Sequence, residues 1–320
     1  MVEVLQGGLQ SLIQDVGRTG YRDFGVPVSG AMDCDALRIA NWLVGNPLHT
    51  AVIEMTMTGA FLKFETHTFI ALTGAHMNAC LNGEPIHRYE TIAVERGSIL
   101  TFGKLEEGFR VYLSVAGGFQ INDFLKSVST YLYASIGGLN GKSLQKGDKI
   151  PIVENKDVAL KKLPDGFLKG MVSSLLKVRV LPGIEYKLFT EESRNIFFQR
   201  EFQIHGDSNR MGYRLSGPLL EYSCREEMLS SGIVVGTIQV PEDGNPIILL
   251  ADSQTTGGYP RIANVASVDI PYLAQQKPGD KIRFQKISLK EAQVLYFNKE
   301  KKLGFLFQEG LKSSQECNFK

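Results

Sequence analysis

Short runs of β-branched and aromatic residues, each bounded by glycine, proline or asparagine, recur along most of this 320-residue chain. Such runs are typical of strands in an antiparallel sheet, and the bounding residues supply the turns. Glycine accounts for 33 residues, above the usual share of about 7%, as many tight turns require. The pattern therefore predicts a mainly β protein built of sandwiches or barrels. The clearest runs are residues 61–72, 90–102, 109–119, 176–183, 232–241 and 245–252.

Helical patterns are fewer. Residues 32–46 have apolar side chains on one helical face, with Asp33 or Asp35 able to cap the start and Gly45 able to end the helix. A second helix, with a charged outer face, is predicted at residues 290–306, and a third at residues 188–199. We expect a few helices packed on sheets.

The length fits two domains, since about 100–200 residues per domain is usual. A lysine-rich segment, residues 154–177, separates a predicted hairpin from the next strand. We place the boundary there and predict an N-terminal β-barrel domain at residues 1–160 and a C-terminal domain at residues 175–320. The alternative is a long surface loop within one domain.

The charge balance excludes several classes of protein. Lys and Arg total 35 against 34 for Asp and Glu, a net charge of +1, so no nucleic-acid partner is expected. Because the longest apolar runs fall far short of the ~20 residues of a membrane span, no membrane partner is expected either. The N-terminus lacks the basic start and apolar run of a secretory signal, which predicts a cytoplasmic protein.

The cysteines and histidines indicate no metal site. Cys34, Cys80, Cys224 and Cys317 stand singly, without zinc-ligand spacing, and the five histidines form no cluster in sequence. We interpret the cysteines as reduced thiols.

Residues 137–143, GGLNGKS, resemble a phosphate-binding loop only superficially. That loop needs four residues between its first glycine and the Gly-Lys pair, and here three intervene. The segment after it has the pattern of a hairpin, whereas a phosphate site requires a helix. We interpret residues 137–143 as a glycine-rich turn.

Four segments combine glycine with polar residues that are costly to bury, as binding loops on a β scaffold do. They are residues 13–33, 206–218, 236–246 and 250–263. Their polar side chains also fit a structural alternative, in which Asp and Asn bond to turn amides and Arg-Asp pairs tie loops. In the last segment Gln254, Thr255, Thr256 and Tyr259 favour function, because neutral donors and acceptors suit an uncharged amide ligand.

Taken in order, residues 13–46, 109–119, 209–218, 236–263 and 273–284 resemble the biotin-dependent carboxyltransferase-like family. That family includes the carboxyltransferase part of urea carboxylase, allophanate hydrolase subunit 2, KipA and the C component of bacterial 5-oxoprolinase. The resemblance extends from about residue 5 to about residue 295. In length the chain is more similar to KipA and to the 5-oxoprolinase component than to a domain of a fused carboxylase.

The resemblance implies two cyclophilin-like β-barrel domains, in agreement with the β pattern. It implies an ATP-dependent 5-oxoprolinase, a hydrolase that converts 5-oxoproline to glutamate, in which this chain is the C component. The implied partners are a KipI-like B component and a LamB/YcsF-like A component. ATP enters as a co-substrate of the complex, on this chain or on a partner, and no covalent cofactor is expected.

The family's polar segments map onto named residues of this chain. Substrate binding is implied for Gln14, Asp15, Arg18, Ser29, Asp33, Arg210, Gln239, Thr255, Thr256 and Tyr259. Catalytic roles are implied for Asp207, Tyr213 and Gln254. Glutamine and threonine can hold the lactam or its tetrahedral intermediate, and Tyr213 or Asp207 can relay protons. Many members read Ser-Asp-Arg where this chain has residues 206–210, so the role of Asp207 stays open.

Two alternatives remain open. The first is a carboxyltransferase that acts with a separate biotin carrier on urea or a similar small amide. The ureido ring of biotin, urea and 5-oxoproline all present an N–H and a C=O of one amide, which a Gln or Asn side chain can bind together. The second is a KipA-like regulator that binds a KipI-like kinase inhibitor.

Overall fold

The computed structural model describes residues 1–155, 157–167, 175–223 and 228–316. Within these limits the chain divides into two compact units. Unit 1 comprises Met1–Arg18, Ser29–Lys169 and Leu303–Lys320, and unit 2 comprises Thr19–Val28 and Gly170–Lys302. Part of the predicted boundary segment, residues 156 and 168–174, lies outside the described residues. The predicted domain limits stay a prediction.

Unit 1 is built from two antiparallel sheets. Its strands are β1 (Val2–Gln6), β2 (Gln10–Gln14), β3 (Val52–Thr56), β4 (Phe61–Phe64), β5 (Thr68–His76), β6 (Ala79–Leu81), β7 (Glu84–Pro85), β8 (Ile92–Val94), β9 (Ile99–Phe102), β10 (Glu107–Val115) and β11 (Lys149–Ile150). One sheet has the order β11-β1-β4-β9-β6-β7 and the other the order β2-β3-β10-β5-β8. Apolar side chains of both sheets, among them Val4, Leu62, Leu72 and Leu113, form one buried cluster.

Helix α1 (Cys34–Leu43) is the predicted helix at residues 32–46. Asp33 is its N-cap, and the carboxylate accepts a bond from the backbone N–H of Ala36 at 2.9 Å. Gly45 follows the helix at a φ of 75°, which glycine adopts without strain. The predicted apolar face, Leu37, Ala40, Leu43 and Val44, is buried.

Unit 2 contains a closed barrel of seven strands in the order β12-β19-β16-β17-β14-β13-β20. The strands are β12 (Leu175–Pro182), β13 (Glu201–Ile204), β14 (Gly212–Ser216), β16 (Thr237–Gln239), β17 (Ile247–Leu249), β19 (Arg261–Val265) and β20 (Lys281–Lys286). A separate two-stranded sheet pairs β15 (Ser231–Gly232) with β18 (Thr256–Gly257). β12 pairs with β20 in parallel and with β19 in antiparallel fashion.

The helices of unit 2 are α2 (Glu191–Gln199), α3 (Ile270–Ala274) and the first part of α4 (Leu289–Glu316). Thr190 caps α2 by accepting a bond from Ser193 N at 3.1 Å. Phe197 of α2 stacks on Phe284 of β20 with ring centroids 4.3 Å apart, which fixes α2 to the barrel. Short 3₁₀ turns occur at Arg22–Phe24, Leu132–Ala134, Tyr186–Leu188 and Ser267–Asp269.

The mainly β class with a few helices is confirmed, and so is the barrel of unit 2. In the described part of the chain, no helix has both the length and the hydropathy that a bilayer crossing demands. Cys34 and Cys80 form no disulfide bond within the described residues, whereas Cys224 and Cys317 lie outside them.

Candidate substrate-binding site

A buried ion pair fixes the turn that follows strand β17. The Asp252 carboxylate accepts bonds from Arg210 Nε at 2.7 Å and from Arg210 Nη2 at 3.1 Å. Both side chains are almost fully buried, and Asp252 N donates to the Arg210 carbonyl at 2.9 Å. Because a two-bond pair fixes direction as well as distance, it holds the turn that presents Gln254 and Thr255.

Gln239, at the end of β16, approaches the same segment from the barrel. Its side chain is buried, and Nε2 donates to the Tyr259 carbonyl at 3.3 Å. A Cβ atom on Gly257 would lie 2.6 Å from Gln239 Nε2, closer than real Cβ contacts. Glycine at position 257 therefore leaves room for the Gln239 amide.

Two arginines connect the surrounding loops. Arg22 Nη2 donates to the Ile233 carbonyl and lies 3.5 Å from the Thr255 carbonyl. Arg261 donates to Glu185, with Nε 2.6 Å from Oε2, and its Nη1 donates to the Gly232 carbonyl at 3.2 Å. The hydrogen bond from Arg261 holds the pKa of Glu185 below its ordinary value. These bonds bring together residues 22–24, 184–185, 228–234 and 254–261, which we call the loop cluster.

Residues 254–259 of the loop cluster present neutral polar side chains to solvent. Gln254, Thr256 and Tyr259 are exposed, whereas the charges of Glu185 and Arg261 are paired with each other. Amide and hydroxyl groups both donate and accept hydrogen bonds. The arrangement can therefore bind an uncharged amide and supply donors to an oxygen that gains negative charge.

Two of the predicted catalytic residues occupy different surroundings in unit 2. Asp207 is exposed beside His205, with 3.4 Å between Oδ2 and Nδ1, at a cavity of about 220 Å³ that Arg214 and Asp243 also line. Tyr213 is buried, and its hydroxyl donates to the Gln276 carbonyl at 2.9 Å. The proton-relay roles of Asp207 and Tyr213 stay predictions.

The predicted site residues of unit 1 gather around residues 127–130. The Asp15 carboxylate accepts bonds from Gly17 N at 2.8 Å, from Val128 N at 2.8 Å and from the hydroxyls of Ser127 and Ser129. Three of these bonds reach Oδ1 and one reaches Oδ2, so both oxygens of this buried carboxylate accept hydrogen bonds. Asp15 thus ties residues 15–17 to residues 127–129.

Gln14 and Arg18 reach the same segment. Gln14 Nε2 donates to the Thr130 carbonyl at 2.9 Å, and Arg18 Nη2 donates to the Ser129 carbonyl. Ser29 has a φ of 55°, and its buried hydroxyl has no hydrogen-bond partner among the described residues. The structure brings Gln14, Asp15 and Arg18 together, whereas Asp33 caps α1.

A buried network that the sequence analysis missed holds residues 32–33. Glu54 Oε2 accepts a bond from Met32 N at 2.8 Å, and the Tyr112 hydroxyl accepts one from Asp33 N at 2.9 Å. Arg110 Nε lies 3.8 Å from Glu54 Oε1. Burial, and then the charge of Glu54, raises the pKa of Tyr112 well above its ordinary value of 10.0. The signal available in the sequence was Glu54, a charged residue among the apolar residues Val52, Ile53 and Met55 of strand β3.

Residues 137–143 form turns, as predicted. Gly141 N donates to the Gly137 carbonyl at 2.8 Å, and Gly137, Gly138 and Gly141 all have positive φ. A Cβ on Gly137 would clash with the Ser129 carbonyl oxygen. The segment packs on the residues that Asp15 holds and is not followed by a helix.

Comparison with known sequences identifies relatives along most of the chain. A sequence profile described as carboxyltransferase domain, subdomain A and B, matches residues 24–286. The chain is 40% identical over 295 residues to the C component of 5-oxoprolinase from Escherichia coli, covering 91% of this chain and 93% of that protein. It is 33% identical over 313 residues to urea amidolyase of Saccharomyces cerevisiae, covering 92% of this chain but 17% of that protein.

Solved structures agree with the sequence comparison. The crystal structure of the K. lactis urea amidolyase matches with a TM-score of 0.88 and 33% identity over 94% of this chain. The chain spans 19% of that protein's length. The fold described above is therefore also found within a much longer chain.

Proposed function

The chain belongs to the family described as carboxyltransferase domain, subdomain A and B, and we propose that within this family it is the C component of an ATP-dependent 5-oxoprolinase. The observation that carries the proposal is the share of each relative's length that matches this chain. The match to the C component of the E. coli 5-oxoprolinase extends over 93% of that protein, whereas the match to the yeast urea amidolyase covers 17% of it.

The proposed substrate is 5-oxoproline, whose lactam presents an N–H and a C=O. The neutral side chains of the loop cluster, Gln254, Thr256 and Tyr259, support binding of such an amide because they are exposed and uncharged. In the proposed reaction ATP phosphorylates the lactam oxygen and leaves as ADP, and water then adds to the activated carbon. The C–N bond of this tetrahedral intermediate breaks as the nitrogen takes up a proton, and hydrolysis of the resulting acyl phosphate gives glutamate and inorganic phosphate. Gln254 and Thr256 would donate to the oxygen of the tetrahedral intermediate.

We propose that ATP binds on a partner protein. Residues 137–143, the segment of this chain that most resembles a phosphate loop, form turns packed on Ser129. A phosphate site of that type needs the N-terminus of a helix after the loop. This chain would then contribute amide binding, and a partner would contribute the nucleotide.

The proposed partners are a KipI-like B component and a LamB/YcsF-like A component, acting with this chain in the cytoplasm. Exposed apolar side chains around the loop cluster support a contact with a partner there. Phe24, Ile184, Leu229 and Val234 are 81%, 80%, 91% and 57% exposed. Clusters of large exposed apolar residues commonly mark interaction sites.

The test is glutamate release from 5-oxoproline and ATP by this chain mixed with candidate KipI-like and LamB/YcsF-like partners, with each protein omitted in turn. We expect glutamate from the full mixture and none when this chain is left out. Glutamate formed equally well without this chain would overturn the proposal. Absence of glutamate from a mixture whose proteins bind one another would also overturn it.

The K. lactis structure favours a carboxyltransferase as the second candidate. It would act with a separate biotin carrier on urea or a similar amide. The same proteins, supplied with a biotinylated carrier, a biotin carboxylase, bicarbonate, ATP and urea, discriminate the two candidates. Carboxylated urea without glutamate would favour the second candidate.

A further inference from the structure

Unit 1 contains a cavity of about 610 Å³ where helix α1 ends, remote in sequence from the loop cluster. Its volume lies within the range of about 300–1,000 Å³ that is usual for small-molecule sites. Trp42 and Phe307 form an aromatic wall with ring centroids 6.5 Å apart. Pro47, Leu48 and Val158 add aliphatic surface.

Lys161 brings a positive charge to this cavity. Its side chain is partly buried, Nζ donates to the Trp42 carbonyl at 2.8 Å, and Nζ lies 5.2 Å from the centroid of the Trp42 ring. Among the described residues, no carboxylate forms an ion pair with Lys161. Loss of hydration lowers the pKa of Lys161, with no acidic neighbour raising it.

The one acidic residue that lines the cavity within the described ranges, Asp157, does not neutralise the charge of Lys161. Asp157 also lines the cavity, but it is exposed, so water screens its charge. An ammonium group has three N–H donors, and the bond to Trp42 uses one. Lys161 can therefore offer charge and donors to an anion inside an otherwise aromatic and aliphatic cavity.

We propose that this cavity binds a small organic carboxylate, with the carboxylate against Lys161 and an apolar body against the rings of Trp42 and Phe307. The proposal concerns a site distinct in residues from the loop cluster and does not depend on the function proposed above. Two observations support it: the positive charge of Lys161 complements a carboxylate, and the cavity has a suitable size for a small organic molecule.

The competing role of Lys161 is structural. The C-terminal end of a helix carries partial negative charge, and a lysine that bonds its last carbonyls stabilises it. That role predicts lower stability for a Lys161→Gln variant but no preference of the cavity for charged ligands. The two roles are therefore separable by measuring binding.

Trp42 makes the measurement direct, because it is the single tryptophan of the chain. We would titrate the protein with phenylacetate and with phenylacetamide, which has nearly the same shape and no charge, and record tryptophan fluorescence. We expect a saturable change with phenylacetate and binding at least about tenfold weaker for phenylacetamide, because a hydrogen bond to a charged group contributes more than one to a neutral group.

Lys161→Gln should remove the preference for phenylacetate, whereas Lys162→Gln, which changes the adjacent lysine, should keep it. Equal affinity for the two ligands, no saturable change with phenylacetate, or an unchanged preference in Lys161→Gln would each overturn the proposal. The comparison of the two ligands on the unaltered protein needs no variant and holds even if Lys161→Gln fails to fold.

Discussion

The guanidinium of Arg210 and the carboxylate of Asp252 form a two-bond ion pair in the interior of unit 2, with 4% and 3% of their side-chain surfaces exposed. Arg210 precedes strand β14, and Asp252 follows strand β17, which pairs with β14. The ion pair therefore links the segments just outside these two paired strands. It sets the position of the turn that carries Gln254.

Replacing Asp252 with Asn should destabilise the protein markedly. The change removes the carboxylate that accepts two bonds from the buried Arg210 guanidinium, and breaking such a buried pair usually costs about 3–5 kcal/mol. Urea denaturation at pH 7 would measure the free energy of unfolding. As a control, Lys281→Met removes the exposed contact to Glu201, 3.4 Å long, and should cost at most about 1 kcal/mol. Equal costs for the two variants would contradict the importance of the buried pair.

Gly257→Ala should impair substrate binding more than folding. The added methyl group would lie 2.6 Å from Gln239 Nε2, so the amide must move and its bond to Tyr259 is lost. We expect the KM for 5-oxoproline to rise at least about fivefold, equivalent to about 1 kcal/mol. Gly232→Ala is the matched control. Gly232 lies on β15, the strand that pairs with the strand of Gly257, and a Cβ atom added to it would have no neighbour within 4 Å. An unchanged KM in Gly257→Ala would show that the position of Gln239 does not matter.

The Glu185–Arg261 pair should make stability sensitive to acid. The hydrogen bond from Arg261 lowers the pKa of Glu185 from 4.5, so the pair stabilises the protein above about that pH and is lost as the pH falls through the lowered pKa. The free energy of unfolding of the unaltered protein should exceed that of Glu185→Gln at pH 7. The difference should shrink below pH 4.5. A difference that stays constant from pH 7 to pH 3 would contradict this prediction.

Phe24→Ser should weaken binding to a partner protein without lowering the melting temperature. The ring of Phe24 is 81% exposed beside Arg22, which anchors its loop to Ile233. Truncating an apolar side chain at the centre of an interface commonly weakens binding at least about tenfold. Isothermal titration calorimetry with the KipI-like and LamB/YcsF-like proteins would measure this. Leu160→Ser, which changes a similarly exposed residue of unit 1, should leave binding unchanged.

Much of the fold could be predicted from the sequence, because the local patterns for caps, turns and strands agree with the observed packing. Asp33 and Gly45 delimit α1 as the capping rules predict, and the predicted strand runs appear in the sheets and the barrel. The parallel pairing of β12 with β20 was not predictable, because these strands are about 100 residues apart. The inclusion of Thr19–Val28 in unit 2 likewise depends on a long-range bond, from Arg22 to Ile233.

The sequence predicted the candidate site only as a set of polar segments, without the contacts between them. Composition marked Gln254, Thr256 and Tyr259, and the structure exposes them together in the loop cluster. Spacing could not show that Ser127, Val128 and Ser129 donate hydrogen bonds to the Asp15 carboxylate. Nor could it show that Glu54 and Tyr112 hold residues 32–33. In each case the bonded residues are far apart along the chain, and local sequence patterns do not predict which distant residues come into contact.

The most direct test is the rate of glutamate formation from 5-oxoproline and ATP by the complete mixture of proteins containing Gln254→Ala, compared with the unaltered chain. Partner binding is checked first, and Gln120→Ala in unit 1 serves as the control. We expect Gln254→Ala to lower kcat/KM at least about tenfold, since a lost donor to a developing oxyanion costs about 2.7–4 kcal/mol. An unchanged kcat/KM in a fully assembled mixture would contradict the assignment of the loop cluster as the amide-binding site.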